Sequence, residues 1–288
     1  MRFSFHTHTR FCDGREEASS MAAAAFAAGY SVLGFSSHAP LPFETVWNMD
    51  WTDLPAYAEA IRALQRQYEP LGMDILLGLE IDYIRDLCGP ADEAYGSISP
   101  DYSIASVHFV HGLSGEMFAV DEPEADFDLH VKEFASGDVS SVWRQYYHAL
   151  LAMMDAGGFD IIGHFDLVKK NNRKGRWFDE ESKAYLDAAF EAVDRAAELG
   201  RIAEINTGGL ARGKTDSPYP SRRILSRMHE RGLRLTLGDD AHASGHFAVH
   251  QAAAIRAAAE AGYRSLWHLD KDREWKEIGI DEAGRPGR

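Results

Sequence analysis

Long apolar stretches are missing from this 288-residue chain. No run approaches the roughly 18 uncharged residues that a membrane-spanning helix needs, so no membrane partner is expected. Met1–His6 contains no apolar signal core, which points to a cytoplasmic location. Cysteine is almost absent: Cys12 and Cys88 cannot build a disulfide framework, and nothing in their positions suggests that they pair. Basic charge is scarce too. The 30 Lys and Arg against 45 Asp and Glu leave a formal net charge of −15. That sign disfavours gripping a polyanion across a broad surface, so nucleic acid is not an expected partner. Bound divalent cations would offset part of the negative charge. There is no repeat and no linker-like segment, which argues for one domain.

What is present is an alternation. Short β-prone runs at Phe3–Phe5, Val32–Phe35, Ile75–Leu77, Tyr102–Val107, Ile161–Ile162, Arg201–Ile205 and Arg234–Leu237 are separated by helical patterns. Leu54, Tyr57, Ala58, Ile61, Leu64 and Tyr68 form one apolar face, with Asp53 placed to cap it and Pro55 in its first turn. Val142, Trp143, Tyr146, Tyr147, Leu150 and Met154 form another, and Tyr185, Ala188, Ala192, Ala196 and Leu199 a third. A further helix opens at Ser221 and stops at Gly232, and an alanine-rich one runs from about Ala252 to Ala261. Such alternation implies parallel strands joined by right-handed crossovers. About seven units favour a closed α/β barrel over an open doubly wound sheet. Two stretches depart from the pattern: an acidic connection over residues 110–139, read as a lid-like loop, and a tail over 284–288, read as disordered.

The positions of the 13 histidines carry the chemistry. His6 and His8 follow the first strand, His38 the second, His108 the fourth and His164 the fifth. Glu80 follows the third, while Asp240 and His242 follow the seventh. A lone histidine near a strand end is usually a hydrogen-bonded structural residue. His6-Thr7-His8 is stronger, because side chains two apart on a strand share a face, and Asp240-Ala241-His242 repeats that spacing. Parallel barrel strands all end on one face, so eight imidazoles and carboxylates would meet at one mouth. That conjunction excludes the ordinary explanation of each. His111, His130, His148, His229, His246, His250 and His268 fall in loops or helical runs and are read as structural or surface residues. Eight mixed donors exceed the needs of one ion, implying two to three divalent transition-metal ions, with Zn, Fe and Mn all suited to the set. Clustered ions of this kind activate water and neutralise a phosphoryl oxygen.

His6-Thr7-His8 with Cys12-Asp13-Gly14, Ser37-His38, Gly78-Leu79-Glu80, Ser106-Val107-His108, Gly163-His164-Phe165-Asp166 and Asp240-Ala241-His242 resemble the polymerase-and-histidinol-phosphatase (PHP) superfamily. The segments Glu204–Leu210 and Tyr219-Pro220-Ser221 resemble its histidinol-phosphate phosphatase branch. The resemblance runs in order from His6 to His242. It implies a distorted (β/α)7 barrel in a single domain, and hydrolysis of L-histidinol phosphate through attack by a metal-bridging hydroxide. It places His6, His8, Glu80 and Asp240 on one ion, and has Glu80 bridge to a second held by His108 and His164. His38 and His242 take a third, with Asp13 where several relatives carry histidine.

Positive charge must also meet the phosphoryl group. Lys169, just past His164, and Arg212, just past Asn206-Thr207, are the candidates, the alternative for each being a solvated loop cation; Asn206 is a candidate substrate-binding or ligand-orienting group and Asp166 a candidate orienting group. His38, His242 and Asp240 are the catalytic candidates, either histidine being able to protonate the leaving alkoxide. The competing reading within the superfamily is a phosphoesterase for a nucleotide or another small phosphorylated metabolite. A proofreading nuclease, a non-catalytic metal-binding protein and a barrel amide hydrolase fit the residues less well.

Overall fold

The computed structural model describes residues 1–285. In the first half, β1 (Phe3–Ser4), α1 (Ala18–Ala27), β2 (Val32–Phe35), α2 (Leu54–Tyr68), β3 (Asp74–Asp82) and β4 (Tyr102–Ser106) alternate as the sequence pattern requires. An excursion follows, made of β5 (Phe109–His111), β6 (Met117–Ala119) and α3 (Glu124–Phe134). The alternation then resumes with α4 (Val139–Ala156), β7 (Ile161–Ile162), α5 (Lys183–Glu198) and β8 (Ile202–Asn206). Beyond these lie α6 (Gly208–Ala211), α7 (Arg222–Glu230), β9 (Arg234–Gly238), α8 (Gln251–Ala261), β10 (Ser265–Leu269) and β11 (Trp275–Gly279).

Seven strands form one sheet in the order β1-β2-β3-β4-β7-β8-β9, and its neighbouring strands all pair in parallel. The sheet nearly closes on itself: the Phe5 amide donates to Leu237 at 3.1 Å and the His8 amide to Ala241 at 2.9 Å, joining the β1 and β9 ends. This is the distorted seven-stranded barrel with helices packed around it. Its interior is filled by side chains. Tyr102 is buried there, its hydroxyl donating to the carbonyls of Phe5 (2.5 Å) and Phe35 (3.1 Å). A Cβ at Gly34 or Gly78 would collide with that ring, so both positions must lack a side chain. One core cluster joins the later strands to α4, α5, α7 and α8, and a second joins the earlier strands to α1 and α2.

Several local expectations are corrected. β3 runs to Asp82 rather than stopping at Leu77, because Gly78–Asp82 pair with Tyr102–Ser106. Asp53 makes no side-chain cap on α2. The 110–139 segment is not an unstructured loop. Phe118, Val120, Phe127, Val131 and Ala135 are buried in the main core and fold it into a hairpin and a helix. The β10–β11 hairpin, unforeseen, sets Trp275 against the Phe5 ring at 5.8 Å. In the expected loose tail, Gly284 adopts φ +76° and donates to the Met1 carbonyl at 2.9 Å, while residues 286–288 lie outside the described residues. Among the described residues, no helix is long and apolar enough to cross a membrane.

Candidate metal centre

The strands deliver their terminal residues to one mouth because each parallel strand runs the same way through the barrel. His6 and His8 leave β1, His38 leaves β2, Glu80 ends β3, His108 leaves β4, His164 leaves β7, and Asp240 and His242 leave β9. The Thr9–Gly14 turn, closed by the Cys12 and Gly14 amides on the Thr9 carbonyl, brings Asp13 to the same place. Its carboxylate lies 3.2 Å from His242 Nε2, 3.8 Å from His38 Nε2 and 3.9 Å from His8 Nδ1.

Glu80 stands at the centre and is 1% exposed. Its Oε2 faces His6 Nε2 at 3.1 Å, His38 Nδ1 at 3.0 Å and His8 Nε2 at 3.5 Å. Its Oε1 faces His164 Nε2 at 2.8 Å and His108 Nε2 at 3.6 Å, and accepts from the Ser106 hydroxyl at 2.6 Å. Burial works against charge on this carboxylate, but the His6 and His38 imidazoles prevail and hold it well below the usual carboxylate range. Asp240 is likewise held low: burial opposes its charge, and Arg212 more than offsets this. His8 is pushed the other way, by burial and by the neighbouring His242 and His38.

Three donor sets fall within 4.8 Å: His6, His8 and Glu80; His38, Glu80 and His108; and His8, Asp13, His38 and His242. The pairing differs from the expected one in detail, since His8 serves two sets and His38 joins His108 at Glu80. His6 Nε2, His8 Nε2, His38 Nδ1 and Glu80 Oε2 are buried and face one another without a hydrogen bond. Buried polar atoms are rarely left so. Lone pairs converging on a common point, with carboxylates among them, fit divalent cations.

A further layer orients these donors, and sequence reading passed over most of it. His108 Nδ1 is 2.6 Å from Asp82 Oδ1. Burial disfavours charge on His108, yet Asp82 beside it pushes the imidazole up to about 9. His6 Nδ1 is 2.9 Å from Glu204. Arg212 donates to Asp240 Oδ2 at 2.9 Å and to His242 Nδ1 at 2.8 Å. An imidazole backed by a carboxylate at a strand end was the available signal for Asp82, which lies two residues beyond Glu80 on the same face.

The donors open onto a cavity of about 440 Å³ whose wall includes Asp13, His38, Glu80, His108, Asp240 and His242. Of the expected phosphate-binding groups, only Arg212 lines it. Lys169 is 3% exposed and turned away, with Nζ on the Pro218 carbonyl (2.9 Å), Ser217 Oγ (3.1 Å) and Asp166 Oδ2 (3.2 Å). Asn206 is wholly buried, donating to Glu204 at 2.8 Å and accepting from the Gly208 amide at 2.9 Å, so neither polar atom is free for a substrate. Asp166 accepts from the Ser221 amide at 2.8 Å and ties down a loop rather than a ligand. The cavity's other cations are Lys170 and Lys214, which the sequence reading missed. Lys170 Nζ rests 2.9 Å from Asp121. In the acidic 110–139 segment, Asp121, Glu122 and Glu124 line the cavity, Glu122 pairing with His130 and Glu124, like Asp128, with Arg176.

A family model described as the PHP domain matches residues 4–208. The "Probable histidinol-phosphatase" of Deinococcus radiodurans is 30% identical over 264 residues, covering 91% of this chain and 94% of that protein. The "Histidinol-phosphatase" of Bacillus subtilis is 27% identical over 260 residues, covering 83% and 93%. The crystal structure of histidinol phosphate phosphatase from Lactococcus lactis, complexed with zinc, L-histidinol and phosphate, shares the fold. Its TM-score is 0.68 at 20% identity, covering 92% of this chain and 95% of that one.

Proposed function

We propose, from the premise that this chain belongs to the PHP domain family, that it is a metal-dependent phosphomonoesterase converting L-histidinol phosphate and water into L-histidinol and inorganic phosphate. The observation that carries this reading is the gathering of unpartnered histidine and carboxylate atoms around Glu80 at the floor of a cavity of small-metabolite size. Divalent ions held by these residues would supply Lewis acidity, activating water and neutralising charge on a phosphoryl oxygen; the Lactococcus lactis enzyme is complexed with zinc.

The remaining work falls to the chain's own residues. His6, His8, Glu80 and Asp240 form one side of the donor set, and His38, His108, His164, Asp13 and His242 the other. Arg212 keeps Asp240 and His242 in place by donating to both. Lys170 and Lys214 bring positive charge to the wall where the phosphoryl oxygens would lie. His38 and His242 both line the cavity; a proton for the departing alkoxide would have to come from His38 when it is not bound to metal, because His242 Nδ1 already accepts from Arg212. Val46, Trp47, Pro123 and Leu167 give the outer wall an apolar surface for a flat ring, beside Glu122 and Glu124, whose carboxylates are paired with His130 and Arg176. Both cysteines are free, in keeping with a reducing cytoplasm.

The test is kcat/KM across histidinol phosphate, nucleotides, sugar phosphates and phosphoserine. Histidinol phosphate should lead each of the others by at least about tenfold, or roughly 1.4 kcal/mol of transition-state binding. A tenfold preference for any other ester would assign the site to that substrate instead.

A further inference from the structure

Glu204 lies behind the centre, away from the cavity wall and wholly buried on β8. Its Oε1 is 2.9 Å from His6 Nδ1, and also accepts from the His164 amide at 2.9 Å and from Asn206 Nδ2 at 2.8 Å. Its Oε2 is 3.1 Å from the same His6 nitrogen. The close approach is built into the backbone, since a Cβ at Gly238 would collide with the Glu204 carboxylate. A carboxylate cannot donate when ionised, so a neutral, metal-binding His6 would keep its proton on Nδ1. Nε2 then carries the lone pair, and Nε2 is the atom aimed at Glu80 Oε2, 3.1 Å away. The same carboxylate also fixes the main chain at His164, whose Nε2 lies 2.8 Å from the other oxygen of Glu80. One buried group thus sets the tautomer of a donor on one side of Glu80 and the position of a donor on the opposite side.

We propose that Glu204 is a positioning residue coupling the two halves of the metal centre, so that its charge and hydrogen bonds govern the affinity of both ions that share Glu80. This rests on the metal-centre reading above. Asp82 supplies the contrast, because among the donors it contacts only the imidazole of His108. Partners of this kind typically contribute 10–100-fold to metal affinity.

The experiment is competition between a chromophoric chelator and metal-stripped protein reloaded with zinc, read without substrate. Glu204→Gln should weaken both of the tighter zinc ions by about 10–100-fold, whereas Asp82→Asn should weaken one. Glu204→Gln binding both ions as wild type does, or losing affinity for only one, overturns the coupling. Nitrogen-15 histidine NMR of zinc-loaded wild-type protein tests it even where the variant fails to fold. His6 should show a hydrogen-bonded Nδ1 proton and zinc on Nε2, and zinc on Nδ1 overturns the proposal. Wild-type protein that takes up fewer than two ions overturns the metal-centre reading and this one together. Normal zinc uptake with a different preferred ester leaves the role of Glu204 intact.

Discussion

Lys169 and Lys170 are adjacent in sequence, yet their surroundings require opposite phenotypes. Lys169 is sealed in, with its ammonium 3.2 Å from Asp166, itself fully buried. Lys169→Ala leaves that carboxylate with only the Ser221 amide, and breaking a buried pair from one side costs about 3–5 kcal/mol. For a domain of this size, each kcal/mol lowers Tm by about 2–4 °C, so a fall of roughly 6–20 °C is expected. Lys170 and its partner Asp121 keep 15% and 27% of their side chains exposed, so water replaces part of the lost contact and the fold loses less than it does at Lys169. If the Lys170 ammonium leaves Asp121 for a phosphoryl oxygen, Lys170→Ala should lower kcat/KM about 10²-fold, or roughly 2.7 kcal/mol. That loss should appear with aryl phosphates as well as histidinol phosphate, since both present the same group. Thermal unfolding of zinc-saturated protein and steady-state kinetics on both esters, run on both variants, give the answer. A Lys169→Ala protein with unchanged Tm and a large loss of kcat/KM, beside a Lys170→Ala protein of normal activity, would refute the assignment.

Glu80→Gln removes the one charge that faces five imidazoles. Metal content should fall below two ions per chain and kcat by at least about 10³-fold; retention of both ions with kcat within tenfold of wild type would show that Glu80 is not the shared ligand. Stripping even one tightly held ion should destabilise the protein, because each ion that binds only the folded state contributes about 4.1 kcal/mol at a thousand times its Kd. Differential scanning calorimetry with and without saturating zinc should show a Tm difference of roughly 8–16 °C, and coincident transitions would argue against binding at these donors.

The donors were legible in the sequence because they depend on little beyond strand direction. A residue that follows a parallel strand must arrive at the barrel mouth, and two residues spaced like His6 and His8 must share a face. Side chains that act through tertiary contacts left no such trace. Whether Lys169 or Lys170 faces the cavity is decided by the short helical turn over Leu167–Lys169, which rotates the first inward toward Pro218 and Ser217. Glu204 sits in a short motif noted for its resemblance, but its role depends on a histidine 198 residues away. The acidic 110–139 segment misled for a different reason. Its charges are conspicuous, while the apolar residues that fold it are too widely spaced to form a clear period, as Phe118, Val120, Phe127 and Val131 show.

Asp13 adds a carboxylate to a cluster built mainly from imidazoles. Its carboxylate approaches His8, His38 and His242. Burial opposes its charge, but hydrogen bonding to His242 and the charge of His38 keep Asp13 far below the ordinary carboxylate range. It therefore remains an anion at neutral pH, and as an oxygen donor it would suit zinc, iron or manganese. A third negative ligand beside Glu80 and Asp240 also raises the anionic charge that an incoming phosphate monoester must face. The cations on the same wall, Arg212, Lys170 and Lys214, oppose that repulsion. An oxygen ligand at this position and a cationic wall around it are thus parts of one electrostatic arrangement: the metals need the anions, and the substrate needs the cations.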